Sequence, residues 1–275
     1  FYASHPRCAC VYFTCSRALI FHCRTCYTLS MRSETREKLL NINRQFYERS
    51  APAFSATRKT LQPGVRRLLA AMPLQADILD LGCGNGNFAL ALSKTAYSGS
   101  YLGVDSSEAL LTDARAALAQ ARPKASFQFI QADLTGSGWS AALSGRAYLV
   151  ITCFAVLHHI PDSQARAAFL RIVSGLLSPE GRLFLSVWQL FNNPRLKARL
   201  LPWDSAAIDS SDLEAGDCLM DWRAGNRIDQ RYVHVFTPEE LRALGLGAGL
   251  MLRDEFYSDG KTGNLALYQI WSRPS

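Results

Sequence analysis

One stretch limits what this chain can fold into more than any other. It runs Ile78-Leu79-Asp80-Leu81-Gly82-Cys83-Gly84-Asn85-Gly86-Asn87-Phe88. The apolar residues read as a short buried strand, the glycines as a turn, and Phe88 as the start of a helix. Glycines at alternate positions leave no side chains where the turn passes a ligand, and they tolerate the positive φ such turns need. A helix starting there aims free backbone N–H groups at whatever sits over the loop. Asp80 adds a carboxylate on the same side, which repels a pyrophosphate and attracts an ammonium group.

Gly84-Asn85-Gly86-Asn87-Phe88-Ala89 also fits the loose dinucleotide fingerprint G-x-G-x-x-[G/A]. The longer string Asp-Leu-Gly-Cys-Gly-Asn-Gly, with its acid two residues before the first glycine, is more specific. It resembles motif I of the class I S-adenosylmethionine (SAM) methyltransferases.

Two more strand ends carry acids. Tyr101-Leu102-Gly103-Val104 ends in Asp105, 19 residues beyond Gly86. An acid at that place in a βαβ unit accepts hydrogen bonds from the ribose hydroxyls of a nucleoside. Ser106 and Ser107 are placed to cap the next helix, 108–121. Phe127–Gln131 leads to Ala132-Asp133-Leu134, again at a strand's C-terminal end, where open α/β sheets bind ligands. In SAM enzymes the third acid meets the adenine amino group.

The fourth strand, Tyr148–Phe154, is nearly all apolar, as a strand buried on both faces should be. Its end resembles methyltransferase motif IV, and His158-His159-Ile160-Pro161-Asp162 resembles the sequence that follows that strand in the superfamily. A histidine here could act as a base, but packing and hydrogen bonding are the favoured roles. Adjacent histidines cannot face the same way along a helix. Helix 163–177, the turn Pro179-Glu180-Gly181 and strand Arg182–Trp188 complete the fifth unit. Residues 189–236 then read as irregular. Thr237-Pro238-Glu239-Glu240 opens a helix with a cap, a proline and first-turn acids. Strands Leu250–Tyr257 and Asn264–Trp271 form a terminal hairpin. That ending argues against a dinucleotide dehydrogenase, which continues with a second parallel half.

Upstream, Leu39, Ile42 and Phe46 share one helix face, and Pro52 is expected to break that helix. A second helix covers about 63–72. The segment from Phe46 to Arg58 is aromatic and basic and could fold over a cofactor, or Tyr47 and Phe54 could simply pack the helix on the core.

A narrower resemblance covers 42–58 and 214–271. Phe46-Tyr47 through Ala51-Pro52-Ala53-Phe54-Ser55-Ala56-Thr57-Arg58 resembles the opening of the AlkB-homologue-associated tRNA wobble-uridine carboxymethyl methyltransferases. Gly216-Asp217-Cys218-Leu219-Met220-Asp221-Trp222 and Arg231-Tyr232-Val233-His234-Val235-Phe236 resemble two later blocks of that family. Asp221 and Val233 stand where that family tends to have proline and tyrosine, and Ser258-Asp259-Gly260 is not its usual ending.

The resemblance implies an α/β, Rossmann-like class I methyltransferase fold, with a seven-stranded mostly parallel sheet and a terminal antiparallel hairpin. It implies SAM as cofactor, held by Tyr47, Arg58, Asp80, Gly82, Cys83, Gly84, Asp105, Ser106, Asp133, Leu134, Phe154 and His158. It implies methylation of a carboxymethyl group on a tRNA wobble uridine to its methyl ester, with Arg231, Tyr232, His234 and Asp217 at the acceptor and Arg231 gripping the carboxylate. The partner is then tRNA, with room for a small activator subunit. The alternatives are a methyltransferase of small metabolites and a catalytically silent scaffold. No metal is expected.

Composition agrees with one large α/β domain: 275 residues, 48% hydrophobic, net charge +7. The charge is a mild basic bias compatible with RNA. The longest largely apolar run, Ala147–Leu157, has 11 residues, too short for a bilayer. Five of the eight cysteines lie in residues 1–30, so the remainder looks like a reduced, cytoplasmic protein. Residues 1–30 show no sustained period and read as an unstructured leader or a mis-called start, Met31 being the first methionine. Cys23-Arg24-Thr25-Cys26 is half a zinc pattern without a second pair. Residues 31–275 then form the methyltransferase domain, with a substrate-side insert at about 189–236.

Overall fold

The structure, a computed structural model, describes residues 31–57, 60–136, 138–143, 145–224 and 227–274. Residues 1–30, with the Cys23–Cys26 pair, and Arg58 lie outside these residues.

The chain opens with α1 (Ser33–Thr57) and α2 (Pro63–Ala70). It then alternates β1 (Ile78–Leu81), α3 (Asn87–Leu92), β2 (Ser100–Asp105), α4 (Glu108–Ala121), β3 (Ser126–Gln131), β4 (Tyr148–Phe154), α5 (Ser163–Leu176) and β5 (Leu177–Trp188). Short pieces follow: α6 (Pro194–Lys197), β6 (Leu200–Leu201), β7 (Asp217–Ala224) and β8 (Arg227–His234). The chain finishes with α7 (Pro238–Gly247), β9 (Met251–Ser258) and β10 (Ala266–Ser272).

Seven strands form one sheet in the order β3-β2-β1-β4-β5-β10-β9. The first five run parallel, and β10 lies antiparallel between β5 and β9. Strand order reverses between β1 and β4, so their carboxyl ends open a crevice there. Alternation along the strands divides the core between the two faces. Ile78 and Val150 point to the side covered by α2 and α3. Leu79 and Ile151, one residue on, point to the side covered by α5 and α7.

Local chemistry sets several helix starts. Ser107 accepts from the backbone N–H of Leu110 at α4, and Thr237 caps α7 with Pro238 behind it. Gly86, at φ 72°, begins α3. A Cβ on it would lie 2.7 Å from the Cβ of Ala114, so glycine lets α3 start close against α4.

Three expectations change. Helix α1 runs through Pro52. A proline deletes one hydrogen bond of the ladder while the turns on either side keep theirs. Pro179-Glu180-Gly181 lies within β5 rather than before it, and a register shift opposite Tyr148 and Val150 absorbs the extra residues. The region 189–236 contains a second, antiparallel sheet, β6-β7-β8. Its alternation is hidden in the sequence because Asp217, Asp221, Asp229, Arg231 and His234 are all buried in it. One face packs Cys218, Met220, Val233 and Val235 against Leu190. On the other face Tyr232 packs against Leu39 of α1.

Among the described residues no helix is long and apolar enough to cross a membrane.

Candidate functional site

The crevice at the β1/β4 reversal is a cavity of about 610 Å³. Its floor is the loops after β1 to β4, and its roof comes from α1 and the start of α2. Gly82, Cys83, Gly84, Asp105, Ser106, Leu134 and Phe154 line it, as does Tyr47 from α1. Gly82 and Gly84 have φ of 72° and 54°. A Cβ on Gly82 would strike Val156 at 2.2 Å, whereas one on Gly84 would meet nothing within 4 Å. The first glycine is needed for packing; the second keeps a side chain out of the cavity.

The three acids differ in environment. Asp80 is buried, with Oδ1 accepting from the Thr152 hydroxyl and Oδ2 from the Tyr101 hydroxyl, each at 2.6 Å. Burial raises its pKa to about 6, against the pull of those two hydrogen bonds. Asp105 accepts from the backbone N–H of Gly84 through Oδ2 and of Ser107 through Oδ1, both at 2.9 Å. Burial raises its pKa too, opposed by these N–H groups. A carboxylate has about four lone-pair sites, so these N–H groups do not exhaust it. Asp133 is half exposed, accepts from the backbone and hydroxyl of Thr135, and sits 3.7 Å from Arg44 of α1.

At the other end of the cavity stands Arg231, from β8, only 4% exposed. Its guanidinium carbon lies 4.8, 5.1 and 4.7 Å from the ring centres of Phe46, Tyr47 and Trp188. Its Nη2 donates to the Tyr47 hydroxyl and, at 2.6 Å, to His159 Nε2. His159 Nδ1 is 3.0 Å from the Tyr232 carbonyl and must donate to it. That fixes Nδ1 as the protonated nitrogen and leaves Nε2 to accept from Arg231.

Four expected site residues are placed elsewhere. His158 is fully buried beneath the cavity, where its Nδ1 accepts from the backbone of Trp188 at 3.4 Å, and it is His159 that reaches the wall. The two histidines share a single 3₁₀ turn, their rings meeting edge to face at 4.2 Å with only the second at the wall. Tyr232, His234 and Asp217 do not line the cavity: the Tyr232 hydroxyl donates to Asp217 Oδ1 at 2.7 Å, and His234 Nδ1 contacts the same oxygen at 2.7 Å. Tyr232 and His234 alternate with Arg231 across the pleat, so one facing the cavity excludes its neighbour.

Asn43 is a further site residue that the motifs did not indicate. Its amide donates to the His159 carbonyl at 3.3 Å and accepts from the Tyr232 N–H at 2.9 Å, joining α1, the histidine turn and β8. Its signal was a polar residue between Leu39 and Phe46 on the apolar helix face.

Residues 54–255 match a family model described as "Methyltransferase domain". The tRNA (carboxymethyluridine(34)-5-O)-methyltransferase ALKBH8 of Macaca fascicularis is 31% identical over 148 residues, covering 53% of this chain and 20% of that protein. This chain therefore spans about a fifth of that relative's length. The ubiquinone biosynthesis O-methyltransferase of Aeromonas salmonicida is 27% identical over 178 residues, covering 64% of this chain and 63% of that protein. Among solved structures, a 1,6-didemethyltoxoflavin-N1-methyltransferase of Burkholderia thailandensis, with S-adenosylhomocysteine bound, superposes with a TM-score of 0.59 at 19% identity. That superposition covers 87% of this chain and 91% of the other.

Proposed function

This chain belongs to the methyltransferase-domain family, and from that premise we propose that it esterifies a carboxylate carried by a modified wobble uridine of tRNA. It is a SAM-dependent methyltransferase. The cavity fits that cofactor: Gly84 leaves room that a Cβ would fill, and Asp105 keeps accepting capacity for a ribose hydroxyl. Asp80 places negative charge where the ammonium of the methionine end would lie. SAM supplies a methyl group activated by its sulfonium. The protein holds the acceptor in line with that methyl and keeps water away.

The observation that carries the substrate reading is Arg231. Its guanidinium is buried at the cavity wall among three aromatic rings and fixed by Tyr47 and His159. A buried guanidinium fixed this way offers a carboxylate a permanent positive charge, its Nη2 hydrogens being taken by Tyr47 and His159. A carboxylate is ionised at pH 7 and needs no general base to attack a methyl group. The match to the carboxymethyluridine methyltransferase supports the same reading.

A small phenolic acceptor is the second reading, favoured by the ubiquinone O-methyltransferase match, which covers more of the chain. A phenol needs a base. His159 is the imidazole at the wall, but its accepting nitrogen faces Arg231 at 2.6 Å, a poor arrangement for taking a proton. Mass spectrometry of tRNA nucleosides from cells lacking the gene tests the proposal. It predicts accumulation of the free carboxymethyl uridine and loss of its ester; an unchanged nucleoside profile would favour the small-molecule reading. Assaying the chain alone, and with a candidate activator subunit, tests whether a partner is needed.

A further inference from the structure

A polar cluster lies apart from the cavity, where the small sheet meets the main domain. His234, at the end of β8, is 2% exposed. Its Nδ1 is 2.7 Å from Asp217 Oδ1 on β7, and its Nε2 is 2.9 Å from Glu240 Oε1 on α7. Both ring nitrogens thus face carboxylate oxygens at hydrogen-bond distance. A neutral imidazole carries one N–H, so one of these contacts would set a lone pair against a lone pair.

We propose that His234 is held as an imidazolium that clasps the small sheet to the main domain, and that loss of its proton loosens the strand presenting Arg231. His234 is then a positioning residue: it sits three positions along β8 from Arg231. The consequence for methyl transfer rests on the reading of Arg231 above; the clasp does not.

The charges around the ring support the assignment. Asp217 and Glu240 bond it directly, and Glu214, before β7, lies 3.7 Å from Nδ1. Arg166 of α5 pairs with Glu214 and lies 3.5 Å from Glu240. Tyr232, on the same strand, donates to Asp217. With His234 protonated, three carboxylates face two cations; without the proton they face one. Burial works against the charged ring, but the bonds it donates to Asp217 and Glu240 outweigh it and raise the imidazole pKa. A group whose folded pKa is raised gives its full stabilisation below the unfolded value and loses it as pH rises through the folded one. The clasp is therefore complete in mild acid and opens on the alkaline side. The backbone holds the ring in place: a Cβ on Gly216 would lie 2.8 Å from its Cε1.

Glu240→Gln separates charge from shape. A glutamine amide can donate to Nε2, so a neutral ring is satisfied, and the helix-capping position is kept. The experiment uses the full chain with ¹⁵N-labelled histidine. At pH 6 the wild type should show one imidazole with both nitrogens protonated, deprotonating at higher pH than an ordinary histidine; in Glu240→Gln that titration should move to lower pH. Amide exchange protection over 227–235, measured at successive pH values from 6 to 9, should fall with pH in the wild type and stay level in the variant. In transfer assays the alkaline fall of kcat/KM should shrink in the variant, with unchanged affinity for S-adenosylhomocysteine. A wild-type His234 with one bare nitrogen at pH 6 overturns the proposal, whatever the variant does. So does equal loss of protection in both proteins. The ring titration involves no acceptor, so its outcome stands apart from whether Arg231 grips a carboxylate.

Discussion

Gly84 donates its backbone N–H to the carboxylate of Asp105 at 2.9 Å. This bond ties the glycine loop after β1 to the acid ending β2, and gives the cavity floor one fixed shape. Asp105 orients the glycine loop through Oδ2 and meets the backbone before α4 through Oδ1, at the cavity wall.

Asp105→Ala should therefore weaken S-adenosylhomocysteine binding by about 10–100-fold, the range expected for losing hydrogen bonds to a charged group. Isothermal titration calorimetry measures it. Undiminished binding would place the nucleoside elsewhere.

Asp80 makes cofactor binding pH-dependent. A cationic amino-acid end needs the ionised acid, and burial holds the free protein's Asp80 at about 6. Affinity for S-adenosylhomocysteine should fall as pH drops below that value, approaching tenfold per unit. The same group destabilises the ligand-free protein. Its folded pKa exceeds the unfolded one, so stability is lost as pH rises from about 4 to about 6, by on the order of 3 kcal/mol. Asp80→Asn should accordingly raise the ligand-free Tm at pH 7 while weakening binding, checked by calorimetry with and without ligand. A variant that is less stable and binds normally would contradict this.

Two glycines should fail differently. Gly64→Ala would put a Cβ 2.3 Å from the buried Tyr268 ring, at the start of α2. Overpacking of this kind costs about 1–3 kcal/mol, so Tm should fall while the folded fraction still binds ligand. Gly84→Ala meets nothing within 4 Å but sets alanine at φ 54°, a left-handed strain of about 1–2 kcal/mol, so Tm should fall here too; its methyl group also enters the cavity, and binding should fall at least tenfold, on the order of 1.4 kcal/mol. Thermal melts paired with calorimetry distinguish them.

The main sheet was legible because its strands obey simple periods. Tyr148–Phe154 is apolar but for Thr152 and largely buried, and the acids at 80, 105 and 133 mark strand ends on one side. The small sheet was not legible, because a strand such as Arg227–His234 buries charged side chains that only partners distant in sequence can satisfy. At the site, the motifs brought out the cofactor side and left the acceptor side confused. Arg231 reaches the cavity, but Tyr232 and His234 belong to another cluster, and which of two adjacent histidines faces inward depends on the turn they occupy.

The most direct test of the account is radiolabelled methyl transfer from SAM to bulk tRNA lacking the ester, followed by mild alkali, which releases methyl esters and leaves N- and C-methyl groups. The account predicts label that is lost in alkali. It also predicts that Arg231→Ala cuts transfer by a factor on the order of 100, since a buried charged hydrogen bond lost in the transition state costs a few kcal/mol, with affinity for S-adenosylhomocysteine nearly unchanged. Label that survives alkali, or full transfer by Arg231→Ala, would contradict it.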